Sequence, residues 1–101
     1  MLIVTGEVVV EAGAVEKIRD ALLEMERATR EEPGCLAYAF SVDINEPTMM
    51  RIFEKWQSLE ALRTHFATPH MAAFGKAVAV VEPKSLDVHV FEIAGEVPLP
   101  R

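Results

Sequence analysis

From Cys35 to Ile44 every second residue is large and apolar (Leu36, Tyr38, Phe40, Val42, Ile44), and the residues between them are small or polar (Cys35, Ala37, Ala39, Ser41, Asp43). That period of two belongs to an extended strand whose two faces meet different surroundings, because a helix scatters such positions around its axis. The strand is bounded on its N-terminal side by Pro33 and Gly34, which end a run of different period. From Ala14 to about Glu31, Val15, Ile18, Leu22 and Met25 recur at three- and four-residue spacing, with Glu16, Arg19, Glu26 and Arg27 on the other side, which predicts an amphipathic helix. On its C-terminal side Asn45, Glu46 and Pro47 supply turn chemistry, and Thr48 to Trp56 is extended again, so the two strands are expected to form a hairpin. A three-residue loop sets Tyr38 opposite Glu54, and Leu36 opposite Trp56 on the same face.

The remaining elements fall around this unit. Leu2 to Val10, rich in Val and Ile and ending at the Gly13 turn, reads as a first, central strand. Ser58 is placed to cap a short helix carrying Leu59, Leu62 and Phe66; Thr68 caps another, with Pro69 at its first position and Met71, Phe74 and Val78 as its apolar stripe. Pro83 breaks that run, and Leu86 to Ile93 alternates as a fourth strand. Residues 1–94 are thus expected to form one domain, with 95–101 an irregular extension. Strand, helix, strand, strand, helix pair, strand is the split β-α-β order of a ferredoxin-like α+β fold, with helices over one face of a four-stranded antiparallel sheet. The other face stays apolar whichever parity points inward: Phe53, Phe91 and Ile93 share one, Ile52, Val88 and Val90 the other. The expected outcome is a homodimer packed sheet against sheet.

Charge and composition exclude several classes. Sixteen acids against ten bases give a net charge of -6, and no basic run is present to follow a phosphate backbone, so nucleic acid is not an expected partner. The apolar N-terminal run lacks basic residues ahead of it, contains Glu7 and is too short to span a bilayer, so no membrane association is expected. The one cysteine, Cys35, cannot make an internal disulfide or a multi-thiolate metal site, which suits a reducing, cytoplasmic setting.

Four side chains stand out chemically. Strand parity puts Glu54 among Met50, Ile52 and Trp56, where burial would raise its pKa; the alternative is a carboxylate satisfied by an arginine or by the Tyr38 hydroxyl. Trp56, at a strand end beside a helix, is either core or the wall of a pocket. His65 flanks the Leu62 stripe and can aim inward as a base working near neutral pH, or it is a structural histidine. His70 falls in the first turn of its helix, where the dipole favours a neutral ring, or it is a surface histidine near a cap. A metal site is not expected: His65 and His70 are five apart across Pro69, and His89 lies on a distant strand without a ligand partner. Neither a glycine-rich phosphate loop nor a serine elbow is present, and Cys35 lacks the cationic neighbours that activate a thiol.

The stretch Glu32-Pro33-Gly34-Cys35-Leu36-Ala37-Tyr38, then Glu54-Lys55-Trp56, then His65-Phe66 and Thr68-Pro69-His70-Met71-Ala72-Ala73-Phe74 resembles the antibiotic biosynthesis monooxygenase (ABM) domain family, nearest to its quinol monooxygenase-like members. The resemblance covers nearly the whole chain. It implies a dimeric α+β barrel with a small pocket in each monomer between sheet and helices, and oxidation of hydroquinones or polycyclic phenols by molecular oxygen with no flavin or metal cofactor. Such chemistry requires a base beside an apolar slot, since a phenolate reduces oxygen far more readily than a phenol. His65 is the first candidate for that base and His70 the second, with Trp56 and Phe74 as walls and Tyr38 or Glu54 as the orienting polar contact. Haem-degrading relatives share the fold, but by spacing from Trp56 their second pocket tryptophan falls on His65, their axial histidine on Gly75 and their first-strand asparagine on Glu7, so haem degradation is disfavoured. Two readings of function follow: a cofactor-independent monooxygenase acting on a small aromatic substrate and O2, or a non-catalytic dimer that binds a small aromatic metabolite in the same slot.

Overall fold

The computed structural model describes residues Met1–Arg101. Four strands, β1 (Leu2–Val9), β2 (Cys35–Val42), β3 (Met49–Trp56) and β4 (Ser85–Glu92), form one antiparallel sheet in the order β2-β3-β1-β4. The helices α1 (Ala14–Lys17), α2 (Arg19–Arg30), α3 (Leu59–Phe66) and α4 (Pro69–Val78) complete the ferredoxin-like α+β arrangement that the element order predicts. Residues beyond Glu92 have no regular secondary structure.

The amphipathic run after Gly13 is two helices rather than one. Ile18 leaves the helical basin (φ -110°, ψ 12°), yet it stays buried with Leu22 against Met50. A one-residue kink that keeps the same side chains inward leaves the apolar spacing intact, so periodicity does not reveal it. The hairpin pairs Tyr38 with Glu54 as expected, but its loop runs over Asp43 to Thr48 instead of three residues. Asp43 explains the difference: one of its oxygens accepts from the backbone N–H groups of Asn45 and Glu46, both at 3.0 Å, and the other takes Arg51 Nη1 at 2.6 Å, so its side chain organises the wider turn. A bulge at Leu36 shifts the register, and Cys35 rather than Leu36 stands opposite Trp56. Leu36 is thereby turned outward, 44% exposed.

The main core joins Leu2, Val4, Tyr38 and Trp56 of the sheet to Met25 of α2 and Leu62 of α3. The two sheet edges are treated differently. Along β2, α2 lends its own side chains to the free backbone: Glu26 accepts from Phe40 N at 2.8 Å and Arg30 Nε donates to Tyr38 O at 2.8 Å. Along β4 every residue is exposed, including Leu86, Val88 and Val90 on the helix side. On the opposite face, Phe53 and Phe91 are also open.

Gly34 sets how the end of α2 meets α3. Its φ of +88° suits glycine, a Cβ there would lie 2.6 Å from Ala61 Cβ on α3, and its carbonyl accepts from Gln57 N at 2.9 Å. Gly34→Ala is therefore expected to destabilise the fold by about 1–3 kcal/mol, through left-handed strain and overpacking together. Thermal unfolding followed by circular dichroism should show a fall in Tm of several degrees; an unchanged Tm would contradict this account.

Candidate functional site

The site is assembled by two capped helices. Ser58 Oγ accepts from Ala61 N at 3.1 Å to start α3, and Thr68 Oγ1 accepts from Met71 N at 3.2 Å to start α4, with Pro69 at the first helical position. The Thr68 hydroxyl also donates to the His65 carbonyl at 2.7 Å, so one side chain fixes the end of α3 against the start of α4. This junction brings His65 and His70 together although they lie on different helices.

His65 is 1% exposed and sits among aromatic rings, with centroids 4.9 Å from Trp56 and 5.6 Å from both Tyr38 and Phe66. Its Nδ1 lies 2.7 Å from Glu32 Oε2, and His70 Nε2 lies 2.6 Å from the same oxygen. As a carboxylate, Glu32 only accepts, so both ring nitrogens that face it carry hydrogen. The His65 hydrogen on Nδ1 leaves the lone pair on Nε2, which has no hydrogen-bond partner within the chain.

His65 also lines a cavity of about 400 Å³ between sheet and helices, within the usual range of small-molecule sites. Seventeen residues surround it, 14 of them hydrophobic, including Phe40, Ile52 and Phe74; its polar groups are the His65 imidazole, the Glu54 carboxyl and the Tyr38 hydroxyl. Phe40 and Phe74, stacked on each other with centroids 5.7 Å apart, both line it. Phe66, Leu86 and Val88, all exposed, form part of its rim.

Glu54 is 7% exposed, and neither an arginine nor the Tyr38 hydroxyl satisfies it: Trp56 Nε1 donates to its Oε1 at 2.8 Å. Burial raises its pKa, and the Trp56 hydrogen bond and the nearby His65 oppose that rise. Burial, with Glu54 adding to it, also pushes the Tyr38 phenol far above its ordinary value, so that hydroxyl remains a donor. Cys35 is part-buried, and its thiol is pushed up by burial and by Glu32 and Glu54, the opposite of an activated nucleophile.

Of the residues singled out in the sequence, His65, Tyr38, Glu54 and Phe74 meet at the cavity. Trp56 does not line it; fully buried, it stands behind His65 and holds Glu54. His70 is on the far side of Glu32 and borders a second cavity of about 210 Å³, which it shares with Glu24 and Phe74. Spacing along the chain argued against a metal set, but the structure supplies a third donor from another element: the ligand atoms of Glu32, His65 and His70 lie within 4.8 Å of one another. His89 pairs at 2.8 Å with Asp87 on exposed β4, away from this cluster. Glu32 carries no periodic or capping signal, and only its place before the Pro33-Gly34 break set it apart.

A four-stranded ferredoxin-like sheet with an apolar, histidine-bearing cavity beneath its helices defines a class of small α+β pocket proteins. Within that class, the sequence model described as "Antibiotic biosynthesis monooxygenase" matches residues 1–77, and the chain belongs to that family. It is 30% identical over 88 residues to "Probable quinol monooxygenase YgiN" of Escherichia coli K12, covering 77% of this chain and 85% of that protein. It is 28% identical over 93 residues to the Synechocystis protein sll1783, covering 92% of this chain but only 63% of that longer relative. Among solved structures, a Deinococcus radiodurans protein described as a "putative antibiotic biosynthesis monooxygenase" superposes with a TM-score of 0.89 at 29% identity over 100% of both chains.

The raised pKa of Glu54 makes a stability prediction. A carboxyl with a higher pKa in the folded than in the unfolded chain binds its proton more tightly when folded, so stability falls as pH rises from the unfolded value through the folded one. The groups facing Glu54 are Tyr38, Trp56, His65 and Glu32. Glu54→Gln keeps an acceptor for Trp56 but cannot ionise. Its urea midpoint is expected to gain on that of the parent as pH rises above the ordinary glutamate range of about 4; parallel pH profiles would show that Glu54 ionises without penalty.

Proposed function

We propose that this chain is a cofactor-independent monooxygenase that oxidises a quinol or related phenolic aromatic with O2, using His65 Nε2 as the base. The observation that carries this reading is the Glu32–His65 hydrogen bond: it directs the imidazole lone pair away from the carboxylate in a ring that lines an apolar cavity. The similarity to a relative named as a quinol monooxygenase supports the substrate class.

Flat apolar walls such as Phe40 and Phe74 suit an aromatic ring, and the polar groups suit its hydroxyls. His65 Nε2 accepts the proton of one hydroxyl, and Glu32 stabilises the imidazolium that forms. The Tyr38 hydroxyl donates to the resulting phenolate, and Glu54 receives a second hydroxyl. The anion then reduces oxygen. For a simple hydroquinone the products are a hydroxyquinone and water, with one oxygen atom inserted and all four electrons drawn from the substrate. The dry surroundings exclude water from the reactive intermediates.

His65→Ala is expected to lower oxygen uptake on the best substrate from a panel of hydroquinones and anthrone-type phenols by about 100- to 10,000-fold, with far-UV circular dichroism preserved. Retained turnover would remove His65 as the base. Saturable binding of the panel without any oxygen uptake by the parent chain would assign the cavity to a binding protein.

The same proposal includes a homodimer. Phe53 and Phe91, 42% and 51% exposed, lie on the sheet face away from the helices, where no element of the chain covers them. Analytical ultracentrifugation should show a species of twice the chain mass, reverting to the single-chain mass in Phe91→Glu; a monomer at all concentrations would exclude sheet-to-sheet pairing.

A further inference from the structure

We propose that Glu32, His65 and His70 form a site for one divalent transition-metal ion of the Zn2+ type, bound through a Glu32 carboxylate oxygen, His65 Nδ1 and His70 Nε2. The donors come from three separate places, the turn after α2, the last turn of α3 and the first turn of α4, so their convergence is a product of folding. Two imidazoles and one carboxylate are a borderline donor set that suits Zn2+ and its first-row neighbours and leaves a fourth position for water.

Backbone already positions each ligand. Thr68 ties the α3 end to the α4 start, and Gly34 seats the Glu32 turn on α3. Glu32 and His65 side chains are 9% and 2% exposed, whereas that of His70 is 25% exposed. An ion therefore enters from the His70 side, through the second cavity, where the Glu24 carboxylate is already paired with Arg27. Without metal, Glu32 Oε2 holds both nitrogens at 2.7 and 2.6 Å by two N–H bonds. With metal, each ring moves its hydrogen to the other nitrogen, and the Glu32 oxygen draws back from the two nitrogens until the donors stand about 3.3 Å apart, as metal–ligand bonds of about 2.0–2.1 Å require. No net proton need leave two neutral rings.

This exchange has a consequence for the cavity. Once Nδ1 of His65 binds the ion, its hydrogen sits on Nε2, and the atom facing the apolar slot changes from acceptor to donor. Only the corollary, that the ion blocks base-assisted oxidation, rests on the function proposed above; the site itself does not.

The test uses the full chain after chelator treatment, with no aromatic substrate present. Calorimetric titration with Zn2+ is expected to give one ion per chain, with affinity at least about tenfold weaker in Glu32→Gln and in His70→Asn and unchanged in His89→Ala. Both weakened variants must show the parent's circular dichroism spectrum; because His70 is partly exposed, its variant is the one expected to keep the fold. In 15N spectra of the parent, Zn2+ should move the His65 Nε2 resonance from the range of an unprotonated ring nitrogen to that of a protonated one. Binding unaffected by Glu32→Gln and His70→Asn, binding lost in His89→Ala, no binding, or an unmoved Nε2 resonance would each overturn the assignment.

Discussion

A single oxygen of Glu32 accepts from two imidazoles, and the chemistry available to the site follows from that shared bond. It fixes the hydrogen on the inner nitrogen of each ring, and so fixes which atom of His65 is left for the cavity. It also fastens the turn after α2 to the junction of α3 and α4, which Thr68 already ties to each other. A carboxylate with little exposure is costly to desolvate, and two N–H donors on one oxygen offset that cost more fully than one would. The bond therefore orders the fold and sets the tautomer of His65 together.

Around it the protein separates two acids by environment. Glu32 meets only donors, while Glu54, among Tyr38, Trp56 and the apolar wall of β3, has one donor and a raised pKa. The two carboxyls of one small site thus meet opposite surroundings, donors around Glu32 and burial around Glu54.

The edges of the sheet have an equally physical division of labour. On β2, Glu26 and Arg30 turn an amphipathic helix into a cover for unpaired backbone, and that cover also holds the strand carrying Tyr38 and Phe40. On β4 nothing comparable is present, and the apolar residues there border the mouth of the cavity. The family relationship fits this layout, since the matched residues 1–77 contain β1 to β3, α3 and most of α4, whereas β4 lies outside the match.

Local pattern in the sequence determined the strands, the capped helices and the apolar face that carries Glu54, and allowed an inward aim for His65, because periods of two and 3.6 and the Ser58 and Thr68 caps are short-range properties. It could not show the kink at Ile18, which leaves the apolar spacing intact, or the bulge that turns Leu36 outward, since strict alternation places Leu36 with Tyr38 and Phe40. Spacing along the chain also made His65 and His70 poor partners and left Glu32 without a role. Those relations span 33 and 38 residues and exist only once α3 and α4 are folded back beside the Pro33-Gly34 turn. For Trp56 the pattern leaves core and pocket wall both open, and the expected place in the wall goes to other residues: it stands behind His65 because of where α3 packs, which tertiary contact alone decides.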